Sequence, residues 1–129
     1  FDDTIEYNLR IAYPNATESD ITEACKKASV HEFISSLPEG YKTRAGSLGD
    51  RLSAGEKQRI GLARAFLRGC PLILLDEPTS NVDSVNEGII LKALKAQKHD
   101  KAIIIVSHRE STTAVADRVL KMKDGRISA

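Results

Sequence analysis

Leu52-Ser53-Ala54-Gly55-Glu56-Lys57-Gln58-Arg59 is followed, one helix length later, by Leu72-Ile73-Leu74-Leu75-Asp76-Glu77-Pro78-Thr79-Ser80. A helix N-terminus with a glycine beside it suits a phosphate, because its first N–H groups lack partners within the helix and its dipole is positive there. Four apolar residues closing on two carboxylates suit a buried strand that delivers negative charge to a metal and a water. In this order and at this spacing the two stretches read as half of a nucleotide-hydrolysing site. Either stretch alone would be a weak signal.

The surrounding pattern alternates helix and strand. Ser53-Ala54-Gly55-Glu56 has the form of a capping box, and Ile60, Ala63, Arg64 and Leu67 continue a helical period to Gly69, where Pro71 ends it. Leu72 to Leu75 and Ala102 to Val106 are short, continuously apolar runs, as expected for parallel strands covered on both faces. Ser84 to about Lys98 is long enough for the crossover helix between them, which makes a right-handed βαβ unit. A short helix is expected near Ser111 to Ala116, and Val119, Leu120 and Met122 suggest a third strand turned by Asp124-Gly125. Asp76, Glu77 and His108 then fall at the carboxyl ends of the two main strands, where open α/β sheets place their chemistry.

Upstream of Leu52 the chain reads as helical, with no strong strand. Thr17 or Ser19 can cap a helix whose Ile21, Ala24, Cys25 and Ala28 form one apolar stripe. A shorter helix follows with Phe33, Ile34 and Leu37 inward. Pro38-Glu39-Gly40 breaks the pattern, and Gly46 and Gly49 keep the next stretch in a loop up to Arg51.

Composition bounds the partners. The 129 residues can bury one modest core, and 41% apolar with 29% charged residues is ordinary for a single globular piece. Nineteen basic against eighteen acidic residues leave a formal charge of +1, which gives no electrostatic case for nucleic acid. No run approaches eighteen apolar residues, so any membrane link is expected to come from other parts of a parent protein. Cys25 and Cys70 have no ligand-like spacing and read as reduced thiols.

The two motifs closely resemble the signature sequence, Leu-Ser-Gly-Gly-Gln in consensus, and the Walker B segment of the ATP-binding cassette (ABC) family. Phe1-Asp2-Asp3-Thr4-Ile5-Glu6-Tyr7-Asn8-Leu9 is similar to the stretch after the glutamine loop of exporter-type cassettes. The resemblance runs from Phe1 to about Ile127. It implies an α/β fold, a partial P-loop NTPase, with a helical subdomain over 1–52 followed by part of the parallel-sheet core over 53–129. No Gly-x-x-x-x-Gly-Lys-Ser/Thr loop occurs, so the chain reads as the C-terminal portion of a cassette without the Walker A pocket.

The resemblance also implies roles. Asp76 would help hold Mg²⁺, Glu77 would orient or deprotonate the attacking water, and His108 would be the switch histidine touching the γ-phosphate of ATP. Ser53, Ala54, Gly55 and Glu56 would meet the ATP held by a second nucleotide-binding domain, as homodimer or heterodimer, and Asp83 matches the D-loop that crosses the same interface. Ala54 and Glu56 replace the consensus glycine and glutamine, and Ser47 stands where a glutamate is usual. The implied parent is an exporter that hydrolyses MgATP at the cytoplasmic face of a membrane, together with transmembrane domains. The isolated chain is expected to be inactive and to be oligomeric or to expose a sheet edge.

Plainer readings compete at each position. Ser53 and Gly55 could cap a helix that binds nothing, and Asp76 and Glu77 could be solvated turn residues; their joint occurrence argues for the site. A lone histidine is by default structural, which is the reading for His31 and His99, whereas His108 gains weight from its place after the second strand. Lys57, Arg64 and Arg68 read as a solvated stripe. Two alternatives from other classes are a fragment of a soluble cassette ATPase of chromosome or repair machinery, and a non-catalytic interaction module.

Overall fold

The computed structural model describes residues 3–48 and 52–128. The N-terminal part is a cluster of short helices. Helix α1 (Ile5–Arg10) starts at Thr4, whose side chain accepts the Tyr7 N–H, and buries Ile5 and Leu9 completely. Sequence patterning assigned no element here, because six residues show too little periodicity to register. The helix is fixed by what surrounds it: Ile5 N–H donates to the Thr43 carbonyl at 2.9 Å, and Ala45 N–H donates to that of Asp3 at 2.8 Å.

Helix α2 (Glu18–Lys27) is capped by Thr17, not Ser19, and the cap is a full capping box: Thr17 Oγ1 accepts from Asp20 N–H and Asp20 accepts from Thr17 N–H. Two otherwise unpaired backbone donors are satisfied reciprocally. Ile21, Ala24, Cys25 and Ala28 face inward as their spacing requires. Helix α3 (His31–Ser36) buries Ile34, with Phe33 and Leu37 packed at the rim of the core. A single 3₁₀ turn, Gly40–Lys42, follows Pro38. Next comes helix α4 (Ala45–Leu48) where a loop was expected; its one turn is short enough to tolerate Gly46. The rest of that expected loop, 49–51, lies outside the described residues.

Helix α5 (Ala54–Arg68) begins at Ser53 and ends at Gly69, whose φ of 68° is the left-handed closure that glycine adopts without strain. Its buried stripe is Gly55, Arg59, Leu62, Ala63, Phe66 and Leu67, so Ile60 and Arg64 lie at the margin rather than at the centre. The capping box expected there is only half formed. Glu56 N–H donates to Ser53 Oγ at 3.3 Å, while the Glu56 carboxylate turns to Arg59 instead.

Strand β1 (Leu72–Asp76) pairs in parallel with β2 (Ala102–Val106), Leu72 opposite Ala102 and Asp76 opposite Val106, and helix α6 (Ser84–Gln97) connects them. One face of the pair turns Ile73, Leu75, Ile103 and Ile105 toward the core that α5 and α6 complete. The other face is open, contrary to the expectation of two covered faces: Leu74 is 69% and Val106 59% exposed. The continuous apolar runs reflect a sheet built for two-sided burial, but among the described residues only one side is covered.

The end of the chain also departs from expectation. Helix α7 is shorter than expected (Glu110–Thr113). The third strand is β3 (Lys121–Lys123), which pairs antiparallel with β4 (Arg126–Ser128) in a separate hairpin. Asp124 and Gly125, with φ of 52° and 73°, form the turn. Positive φ at both central residues matches the twist of a two-residue hairpin. Val119 and Leu120 precede the strand and are exposed.

Candidate functional site

The carboxyl ends of β1 and β2 bring Asp76, Glu77 and His108 to one place. Asp76 is the last ladder residue of β1 and its side chain is exposed. Glu77 N–H still donates to the Val106 carbonyl at 2.8 Å, which holds the next residue against the end of β2. Glu77 then takes a φ of 47°, a left-handed conformation that costs a non-glycine residue about 1–2 kcal/mol. Such an outlier persists only where its surroundings enforce it. Here the following turn does so: Pro78 and Thr79 are buried, and Ser80 N–H donates to the Glu77 carbonyl at 3.2 Å.

The conformation aims the Glu77 side chain at His108. Glu77 Oε1 lies 2.8 Å from His108 Nδ1, and Glu77 Oε2 is buried without a hydrogen-bond partner among the described residues. A carboxylate with one oxygen engaged by imidazole and the other still unpaired keeps an acceptor for a proton or a hydrogen bond from a water placed against it. With the carboxylate ionised, His108 donates through Nδ1. Its Nε2, on a ring that is 78% exposed, is left for a second partner. Nε2 carries a proton for an anion only when the imidazole is cationic.

The signature residues form a second cluster. Ser53 Oγ is engaged as a helix cap, and Ser53 and Ala54 are exposed at the start of α5. Gly55 is buried against Asn86 of α6. Asn86 in turn binds Asp83, the N-cap of α6: its backbone N–H donates to Asp83 Oδ1 at 2.8 Å, and its Nδ2 lies 3.2 and 3.0 Å from the two carboxylate oxygens. These bonds, the backbone one first, hold the Asp83 carboxyl below the usual range. Glu56 Oε1 is 3.9 Å from Arg59, while Glu56 Oε2 is buried and has no hydrogen-bond partner among the described residues. Arg59 spans back to the helical part, donating to the carbonyls of Ser29 at 2.7 Å and Gly55 at 3.3 Å.

Asp76, Glu77 and His108 are thus brought together, as are Gly55, Glu56 and Asp83. No side-chain hydrogen bond or ion pair among the described residues joins the two groups directly. Sequence reasoning passed over Asn86 and Arg59, and also Glu87 and Arg109. The available signals were the position of Asn86 three residues after a capping aspartate and the place of Arg109 next to His108. His31 Nδ1 is 2.8 Å from the Tyr41 hydroxyl, while Arg68, read as part of a solvated stripe, also donates to the Ala12 carbonyl.

Among the described residues no group of three or more histidine, cysteine or acidic side chains is arranged to hold a metal. Asp76 offers one exposed, hard oxygen donor. That fits Mg²⁺ arriving with phosphates, since this ion takes one or two carboxylates and fills its shell with water and phosphate oxygens.

The sequence model of the ABC transporter family matches residues 3–80. A protein of Haemophilus influenzae named "Probable ABC transporter ATP-binding/permease protein" is 59% identical over 128 residues, covering 99% of this chain and 23% of that protein. The Bacillus subtilis "Putative multidrug export ATP-binding/permease protein YgaD" is 46% identical, covering 98% and 22%. A solved bacterial Atm1-family ABC exporter with ATP bound superposes with a TM-score of 0.87 at 37% identity, over all of this chain and 23% of that one. The chain belongs to the ABC transporter family, and its fold is part of the ABC ATPase fold of exporters. It spans about a quarter of the length of these relatives. Among the described residues no helix is long and apolar enough to cross a membrane.

Proposed function

We propose that this chain forms the signature, Walker B and switch-histidine portion of the nucleotide-binding domain of an ABC exporter, which as a complete protein hydrolyses MgATP to drive transport across a membrane. The division would fall near Leu52, with 1–52 as the helical subdomain and 53–129 as part of the ATPase core. The observation that carries the reading is the Glu77–His108 contact at the strand ends, with Glu77 held in a left-handed conformation and its second oxygen buried with no hydrogen-bond partner among the described residues.

In this reading Glu77 orients the attacking water and takes its proton through the unpaired oxygen. His108 holds Glu77 through Nδ1 and donates from Nε2 to the γ-phosphate as the imidazolium. Asp76 would supply an oxygen to Mg²⁺, which when bound would offset the charge developing on the phosphates. Ser53, Ala54, Gly55 and Glu56 would face ATP bound by a second nucleotide-binding domain, with Asp83 at the same interface. Transmembrane domains would complete the exporter, and the domain would lie at the cytoplasmic face of the membrane. The names of the relatives, ATP-binding/permease proteins, favour this over a soluble ATPase of chromosome or repair machinery. With no phosphate-wrapping loop in its sequence, the isolated chain is expected to show no hydrolysis and no saturable MgATP binding below millimolar concentrations.

The test is Glu77→Gln in the complete transporter. Turnover is expected to fall by about two orders of magnitude or more while ATP still binds. Retained turnover would place the base elsewhere.

A further inference from the structure

Glu87 lies one helical turn into α6, and its carboxylate is the meeting point of the two segments that carry Glu77 and His108. Its Oε1 accepts from Ser111 Oγ at 2.6 Å and from Thr79 Oγ1 at 3.3 Å, and it pairs with Arg109 Nη1 at 3.1 Å. Thr79 belongs to the turn that enforces the conformation of Glu77 and is completely buried. Arg109 Nη2 donates to the Ser80 carbonyl at 3.2 Å, at the far end of the same turn. On the other segment, Ser107 Oγ accepts from Arg109 N–H at 3.1 Å and from Thr112 Oγ1 at 3.2 Å, so the backbone on both sides of His108 is tied down. The Glu87 and Arg109 side chains are only 14% and 29% exposed. A charge-assisted network with that little water is worth more than a surface ion pair and imposes a definite geometry.

We infer that Glu87 and Arg109 are positioning residues for ATP hydrolysis: together they clamp the 77–80 turn to the 107–112 segment and so set the Glu77–His108 geometry. Among the described residues neither side chain hydrogen-bonds or ion-pairs with Glu77 or His108 itself. Arg109 acts through backbone, by holding the Ser80 carbonyl and by being the residue next to His108, and Glu87 acts through the side chains of Thr79, Arg109 and Ser111, which it holds at once. The inference rests on the proposed role of Glu77 and deepens it. Oxygens fixed by two strand ends alone could drift, whereas the clamp closes the loop between them.

The test uses the complete transporter with Glu87→Gln, Arg109→Met, Arg109→Lys, the double variant Glu87→Gln/Arg109→Met, and Glu77→Gln as reference. Displacing a reacting group by about an ångström costs on the order of a hundredfold, so kcat is expected to fall about tenfold to a hundredfold in Glu87→Gln and Arg109→Met, with the KM for ATP within about twofold. Arg109→Lys keeps the charge opposite Glu87 but cannot also fork to the Ser80 carbonyl, so it should recover part of kcat. The double variant should lose little more than either single one, as members of one unit do. Unchanged kcat in both single variants, with Glu77→Gln inactive, would overturn the clamp and leave the role of Glu77 standing. A fall in kcat matched by an equal loss of ATP affinity and of melting temperature would also overturn it, as damage to folding alone. Turnover in Glu77→Gln would instead overturn the reading on which the clamp rests.

Discussion

Asn86 fills the space that a side chain on Gly55 would need: a Cβ on Gly55 would lie 2.3 Å from both Cγ and Oδ1 of Asn86. The signature glycine is therefore required by its own chain, before any nucleotide approaches it. Because Asn86 is held by Asp83, the contact also joins the start of α5 to the start of α6. Gly55→Ala is expected to destabilise the fold by about 1–3 kcal/mol through overpacking, and Asn86→Ala should remove part of that cost. Urea unfolding of the two single variants and the double would check this; purely additive losses would mean that the side chains do not meet. Gly55→Asp adds a charge to the same clash and should abolish turnover of the complete transporter.

Burial pushes the Cys25 thiol up to about 11, against an opposing hydrogen bond with Tyr41, while Cys70 is half-buried near the end of α5. Only thiolates react readily with alkylating agents. Iodoacetamide at mildly alkaline pH is expected to modify Cys70 in the folded chain and Cys25 only after denaturation, read by peptide mass spectrometry. Equal labelling rates would contradict the packing of α2.

The Glu87 carboxyl is held below its ordinary 4.5, first by the Ser111 hydroxyl and next by Arg109. A folded-state value lower than the unfolded one stabilises fully above the unfolded value, and that contribution is lost as pH falls through the folded one. The stability gap between the natural chain and Glu87→Gln is therefore expected to be constant above about pH 5.5 and to narrow below about pH 4.5. A gap that widens on acidification would refute the pairing.

Helix α1 should be as integral to the core as the longer helices. Leu9 is completely buried, so Leu9→Ala is expected to cost about 2–5 kcal/mol. Loss of the Thr17 cap in Thr17→Ala should cost about 1 kcal/mol. Denaturant unfolding would rank them, and the reverse order would show that α1 is not docked.

The open face of the β1–β2 pair gives the isolated chain a reason to self-associate. Leu72, Leu74, Ile104 and Val106 are all about half exposed or more, and β2 has an unpaired edge among the described residues. Light scattering is expected to show oligomers, and Leu74→Lys with Ile104→Glu should shift the population to monomer. A strictly monomeric parent chain would mean that the remaining elements cover this face in solution.

Much of the site was legible because it depends on short spacings. The helix from Ala54, the strand ending at Asp76, the crossover helix and the strand ending at Val106 follow from caps, period and apolar runs, and those runs by themselves place Asp76, Glu77 and His108 at strand ends. Helix α1 and the single turn of α4 were not legible, since so few residues carry no period and their bonds run to distant residues, Ile5 to Thr43 and Ala45 to Asp3. The third strand was legible at Met122 and at its Asp124-Gly125 turn, but it starts only at Lys121, after Val119 and Leu120, and its pairing was not legible: a local apolar pattern cannot say which neighbour a strand will take, and Met122 pairs with Ile127 in a hairpin.

The sequence by itself determined the identities of the acids, the signature helix and the turn after β1, because these are written in neighbouring residues. Tertiary structure alone decided that Glu77 would turn its carboxylate to His108, thirty-one residues away, and that Glu87 would gather Thr79, Arg109 and Ser111. It also set Asn86 against Gly55. Each of these contacts depends on two elements arriving at a fixed separation, and that separation is set by how side chains fill the core between α5, α6 and the sheet, which no local pattern encodes.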